Sequence, residues 1–242
     1  MDFIIDYRHV LITAAVLIVT TLLLVIISRW TSSRVARDAV LLAGLSESGK
    51  TGLFMKLRFG EIPETHTSLK ENVAVVELKF ADGTPVTKKP IRLVDIPGHE
   101  RLRFKLNEFI PFARGVVFVI DSSTVARSIR DIAEYLYDIL ANEHVQKHRI
   151  PVLVACNKAD LLTGVKKERI QEMLEAEMDR LRHTRTASLL DQQESDAMPG
   201  DRYLGFEDQP FRFEHLTTEV RFERCSVMKE VDSILEFVSE LA

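Results

Sequence analysis

Residues 44–51, GLSESGKT, set two glycines, a lysine and a threonine at the spacing that cradles a polyphosphate. Gly44 and Gly49 let the chain turn tightly, so that backbone N–H groups around Ser46, Glu47 and Ser48 can close on an anion. Lys50 can reach β- and γ-phosphates, and the Thr51 hydroxyl can ligate Mg²⁺. A second group, DIPGHE at 95–100, offers Asp95 to the metal, through water, and the Gly98 amide to a γ-phosphate. In the third, NKAD at 157–160, Asp160 can accept two hydrogen bonds from guanine N1–H and its exocyclic amine. Adenine has neither donor there, and an unpaired carboxylate is costly. Asn157 and Lys158 would brace that loop and cover the base. Finally, the Ser226 and Val227 amides can point to the guanine oxygen. Four such groups in this order predict a GTP site with Mg²⁺.

His99 sits where nucleotide switches often carry a glutamine that orients the attacking water. It is the candidate catalytic residue if its imidazole turns inward. The other reading is a ring turned outward onto solvent or a partner. Arg101 and Arg103 are candidates for an arginine finger by proximity alone. Without such a finger a Ras-type site turns over at roughly 10⁻⁴ to 10⁻³ per second, so slow hydrolysis is expected.

These groups need strands to carry them. AVLLAG, GVVFVID and IPVLVAC are continuous apolar runs of the kind that parallel strands need when helices cover both faces. ENVAVVELKF and PIRLVDI flank Asp82-Gly83 and read as a hairpin-like pair. Helical spacing is kept by Ile129, Ile132, Ala133, Leu136, Ile139 and Leu140. It recurs at Ile170, Met173, Leu174 and Leu181, and at Val231, Ile234, Leu235, Val238 and Leu241. Each motif then falls at a strand's carboxyl end, as a doubly wound α/β sheet requires. Residues 183–209 are polar, contain Pro199 and Gly200, and read as a surface insertion before the last strand, EVRFERC.

The amino-terminal stretch is of another kind. Val10 to Ile27 runs without a charge and is dominated by Val, Leu and Ile. At about 1.5 Å per residue it spans roughly 27 Å, near the hydrocarbon thickness of an endoplasmic-reticulum bilayer. The flanks lack the basic start and small-residue cleavage site of a signal peptide. Arg29, Arg34 and Arg37 follow the run while Arg8 is nearly alone before it, which places the large domain in the cytosol and Trp30 at the interface. The expected division is a lumenal tail at 1–9, a transmembrane helix at 10–27, a linker at 28–37 and a cytosolic domain at 38–242.

Composition narrows the classes further. The formal net charge is −4, and residues 1–30 contribute nothing to it, since Asp2 and Asp6 balance Arg8 and Arg29. No basic arm is interleaved with aromatics, which argues against direct nucleic-acid readout. Cys156 and Cys225 match no metal or redox spacing and read as small core residues.

Together the motifs resemble the Ras-like GTPase superfamily, and most closely its Arf-like branch. With the anchor and the late segment YLGFEDQPFRFEHLTTEVRFERCS, the chain is similar to the signal recognition particle receptor β-subunit family. That resemblance implies a P-loop small-GTPase fold, a six-stranded, mostly parallel sheet with helices on both faces. It also implies an endoplasmic-reticulum protein whose GTP-bound form holds the N-terminal domain of the receptor α subunit. Such a protein serves co-translational targeting of ribosomes to the translocation channel. The alternative is an autonomous Arf-like trafficking GTPase. The switch after the first helix, PETHTSLKEN, departs from the Arf-like TIGFN, so the second Mg²⁺ ligand is expected at Thr67, with Thr65 and Ser68 as neighbours able to take its place.

Overall fold

The computed structural model describes residues 7–31, 37–62, 70–191 and 203–241. The chain divides into two units, residues 1–36 and 37–242. In the first, α1 (Tyr7–Thr31) is a helix of 25 residues. Its side chains from 11 to 24 are exposed and apolar apart from Thr13, Thr20 and Thr21. Thr20 and Thr21 donate back to the carbonyls of Val16 and Leu17, each at 2.9 Å, so neither hydroxyl needs water. Residues 11–24 cover about 21 Å of helix. Among the described residues no helix is long and apolar enough to cross a membrane. The span expected at 10–27 reaches beyond 11–24 at both ends.

The second unit is built on a six-stranded sheet in the order β2-β3-β1-β4-β5-β6. The strands are β1 (Ala39–Ala43), β2 (Asn72–Val76), β3 (Ile91–Asp95), β4 (Ala113–Asp121), β5 (Val152–Asn157) and β6 (Val220–Arg224). β2 runs antiparallel to β3 and every other pairing is parallel. Side chains alternate across the sheet. From β1, Leu41 joins Phe118 and Val154 on one face, while Val40 and Leu42 join Phe54 and Ile234 on the other. Both faces are covered, as the unbroken apolar runs require. Leu41 is fully buried, and truncating it to alanine is expected to cost about 2–5 kcal/mol.

α4 (Val125–Ala141) buries Ile132, Leu136, Ile139 and Leu140 against the first face, and α6 (Lys167–Asp191) packs beside it. The short helices α3 (Leu106–Phe109) and α5 (Glu143–His148) border the same face. α2 (Lys50–Phe59) and α7 (Asp232–Glu240) cover the other. β1 lies between β3 and β4, where the strand order reverses, so the loops leaving β1, β3 and β4 open a crevice at the carboxyl edge.

The expected hairpin is present: β2 and β3 pair antiparallel, and a Lys79–Pro85 bridge carries the pairing to the Asp82 turn, where Asp82 Oδ1 accepts from the Thr84 amide at 2.9 Å. The stretch 183–209, expected as a surface insertion, begins as helix, because α6 continues to Asp191. Its far end is pinned as well. Arg182, with a side chain 1% exposed, donates Nη1 to the Phe206 carbonyl at 2.7 Å and Nη2 to that of Gln209. It also pairs with Asp179 at 2.7 Å and lies over the Tyr203 ring. The Asp179 and Glu175 carboxylates accept from the Phe211 and Phe213 amides. A buried guanidinium with this many partners fixes residues 203–209 against α6. Residues 192–202 of that stretch lie outside the described residues.

Candidate functional site

The loop between β1 and α2 is held from several sides. Gly49 has φ 97°, a left-handed conformation, and a Cβ there would sit 2.3 Å from Asn157 Nδ2. Both constraints demand glycine. Asn157 Nδ2 donates to the Ser48 carbonyl at 2.8 Å, and its Oδ1 accepts from the Val227 amide at 2.9 Å. The buried Asn157 thus joins two of the sequence motifs, the loop and the turn after β6, through one amide. Lys158 Nζ reaches the Glu47 carbonyl at 3.3 Å and Asp121 Oδ2 at 2.6 Å.

Lys50 opens α2, is 5% exposed, and donates to the Leu45 carbonyl at 2.7 Å. Burial pushes its ammonium down to about 8, against the pull of Asp95. Asp95 ends β3 and is also buried; Thr51 Oγ1 donates to its Oδ2 at 2.9 Å and Asn72 Nδ2 to the same oxygen at 3.0 Å. Desolvation pushes the Asp95 carboxyl up, opposed by Asn72, Thr51 and Lys50. Gly98 is packed so closely that a Cβ would lie 2.5 Å from Ser46 N and 2.6 Å from Lys50 Nζ. Its amide is therefore brought to the mouth of the phosphate loop.

This geometry suits the groups that the sequence implied. A hydroxyl and a carboxylate 2.9 Å apart are hard oxygen donors, the kind Mg²⁺ takes. Asp95 Oδ1 is buried with no protein partner among the described residues, an orphan that a metal or its water would satisfy. The start of α2, with the positive end of its dipole and a buried cation, suits a phosphate chain. Thr67, Thr65 and Ser68 lie outside the described residues.

The base side holds a difference from expectation. Asp160 is beside the Ser226 side chain and 3.3 Å from Lys229 Nζ, which together hold its carboxyl below the usual carboxylate range. Both backbone amides expected to meet the guanine oxygen are engaged. Ser226 N donates to the Glu230 carbonyl at 2.9 Å, and Val227 N is spent on Asn157. Reaching a guanine oxygen from either requires exchanging an internal bond.

His99 turns outward. Its ring is exposed, and Nδ1 accepts from the Arg101 amide at 3.3 Å, capping the 3-10 helix Glu100–Lys105. Arg103 stacks its guanidinium 4.9 Å from the Tyr135 ring centroid, while Arg101 is exposed.

Three site residues were missed by motif reading. Asn72 supports Asp95. Asp121, at the end of β4, anchors Lys158 and accepts from Ser123 N at 2.9 Å. Burial pushes the Asp121 carboxyl up, yet Lys158 and Ser123 outweigh it and hold it low. Arg182 acts at a distance, fixing the approach to β6. The one available signal was position: Asp121 ends an apolar strand at the crevice edge.

A phosphate loop feeding α2, a carboxylate closing β3 and an Asn-Lys-Ala-Asp loop after β5, on this strand order, define the small-GTPase fold. The family model for the signal recognition particle receptor beta subunit matches residues 35–220. The mouse signal recognition particle receptor subunit beta is 37% identical over 218 residues, covering 89% of this chain and 78% of the mouse protein. Among solved structures, the mammalian signal recognition particle receptor superposes with a TM-score of 0.72 at 34% identity, covering 84% of this chain and all of that one. The receptor protein SRb with GDP and Mg from Chaetomium thermophilum gives 0.63 at 27%, with 86% and 98% covered. The chain belongs to the signal recognition particle receptor β-subunit family.

Proposed function

We propose that this chain is the membrane-anchored, GTP-binding subunit of the signal recognition particle receptor, which docks the receptor α subunit by its N-terminal domain for co-translational targeting. The observation that carries the nucleotide part is Asn157, whose single side chain joins the phosphate loop to the base-side turn. That bond pattern makes phosphate and base recognition one rigid unit. Asp160 reads guanine, Lys50 meets the phosphates, and the Gly98 amide senses the γ-phosphate. Thr51 and Asp95 hold Mg²⁺, with Thr67 as the further ligand; the metal supplies charge neutralisation on the β- and γ-phosphates.

Docking follows from what the γ-phosphate adds. By contacting Gly98 and Thr67 it orders the segments around them, and the ordered surface binds the α subunit. The outward His99 supports a subunit that mainly holds its nucleotide. Anchoring at the endoplasmic reticulum is supported by the uncharged run 10–27 and by the self-satisfied threonines within it.

The test is to purify the full chain in detergent, identify the nucleotide it retains, and measure capture of the α-subunit N-terminal domain with GTP or GDP. Retained guanine nucleotide and capture that depends on GTP are expected. Capture that ignores the nucleotide would remove the gating role.

A further inference from the structure

The carboxyl edge of the sheet carries the nucleotide site; the amino edge carries an unexplained set of cations. Arg37 and Asp38 lead into β1, Lys88 and Lys89 into β3, Arg114 lies at the start of β4, and Lys147 and Arg149 precede β5. The carboxylates here are paired in part: Asp38, which lines a concavity at this edge, pairs with Arg92 at 3.3 Å, and Glu219 and Glu240 share Arg221. Among the described residues, Lys88, Lys89, Arg114, Lys147 and Arg149 form no ion pair and are exposed. Burial, and then Arg37, His144 and Lys147, hold the His148 imidazole below its usual value, which puts Arg37 within the same positive field.

The cations also surround a shape. Lys88, Lys89 and Arg114 rim a concavity of about 610 Å³ whose walls include Pro85, Val86 and Ile91. Apolar walls under a cationic rim match a phosphate with an acyl-glycerol body behind it. The chain as a whole carries −4, so this edge opposes the overall charge. Residues 32–36 alone separate α1 from Arg37 in the sequence, and a stretch of that length reaches at most about 20 Å.

We propose that this amino-edge surface binds the headgroups of anionic lipids in the membrane that holds α1. The inference rests on the anchored reading above. Clustered Lys and Arg beside a membrane helix are drawn to anionic leaflets, an attraction that fades within a Debye length. Contact here would leave the opposite, nucleotide-bearing edge directed at the cytosol and open to a partner.

The test reconstitutes the full chain in vesicles of phosphatidylcholine alone, or with about 30% phosphatidylserine. Amine acylation is then followed at Lys88, Lys89 and Lys147, with Lys229 at the nucleotide edge as internal control. Labelling at the three amino-edge lysines should slow about five-fold on the anionic vesicles and recover in about 0.5 M salt, while Lys229 is unaffected. In the variant K88Q/K89Q/R114Q, which should keep its GTP affinity, the protection of Lys147 should fall below about two-fold. Equal labelling on both vesicles would overturn the proposal. So would protection in neutral vesicles on adding inorganic phosphate, which would mark a site for free anions. Failure of the chain to float with either vesicle would overturn the anchored reading itself, and the proposal with it.

Discussion

The phosphate loop and the segment Glu100–Lys105 leave the same edge of the sheet, yet they are held in opposite ways. In the loop, the carbonyls of Leu45, Glu47 and Ser48 each accept from a buried or half-buried side chain, those of Lys50, Lys158 and Asn157. Those donors come from α2 and from the end of β5, so the loop cannot shift without disturbing the core. Glu100–Lys105 is a 3-10 turn with no fully buried residue. Its ties are the His99 cap, the Arg103–Tyr135 stack and an ion pair from Lys105 to Glu71, just ahead of β2. Nucleotide binding is thus a property of the folded core. Any response to the nucleotide has to pass through the weakly held segment, which opens at lower cost.

Breaking the rigid half should produce the largest effects. Asp160→Asn is expected to weaken GTP by about 10³-fold and to bring xanthosine triphosphate into use, because its 2-oxo group can accept from the new amide. Competition titration with both nucleotides checks this; unchanged GTP affinity would refute the base assignment. Lys50→Met should weaken GTP about 10²-fold through loss of charge-assisted bonds. The same change removes a buried ammonium, so thermal unfolding of the nucleotide-free chain should be unchanged or shifted upward. A fall in both would mean that Lys50 is structural.

Asn157→Ala isolates the bridge between the two sides of the site. It strands the Ser48 carbonyl and the Val227 amide, at about 1–3 kcal/mol for each buried group. Denaturant unfolding without nucleotide should register the loss. A stable variant with intact GTP binding would show that the two sides are independently held.

Why some of this was readable in sequence follows from where partners lie. The phosphate loop, Asp95-x-x-Gly98 and Asn157–Asp160 are local: each function is carried by residues within a few positions, so spacing reveals it. Asp121 and Arg182 have distant partners, and for Arg182 these are mainly backbone carbonyls, which leave no side-chain pattern. The residues that carry α6 past Arg182, His183, Thr184 and Arg185, are polar, so the helix leaves no apolar period to read there. The engagement of the Ser226 and Val227 amides was hidden for a related reason. Residue type says nothing about an amide's engagement, and here the bonds go to Glu230 and Asn157.

Protonation gives a smaller, sharper test of the rigid half. The folded pKa of Lys50, about 8, lies below its ordinary 10.5, so between those values the nucleotide-free fold binds fewer protons than the unfolded chain. Its contribution to stability therefore rises with pH across that window. Phosphate returns the charge to Lys50, so GTP binding should take up about half a proton at pH 8 and almost none at pH 6. Calorimetry in buffers of different ionisation enthalpy reads this directly. No uptake at pH 8 would mean that Lys50 stays charged without ligand.

On the loosely held side, His99→Ala should change little. Its ring caps a surface turn, so GTP affinity should stay within a few-fold and basal hydrolysis near the roughly 10⁻⁴ to 10⁻³ per second of a site without an arginine finger. Single-turnover hydrolysis, alone and with the α-subunit domain, measures both. A reduced partner-stimulated rate would place His99 on the partner's face; a fast basal rate lost in the variant would make the chain an autonomous timer.

The central claim is that a rigid site holds GTP so that a softer neighbouring surface can dock a partner. Its most direct measurement is the affinity of the full chain for the α-subunit N-terminal domain, with Mg²⁺ and either GTP or GDP. Binding at least about tenfold tighter with GTP is predicted, the scale of a typical coupling between two sites. Equal affinity in the two nucleotide states would contradict the account.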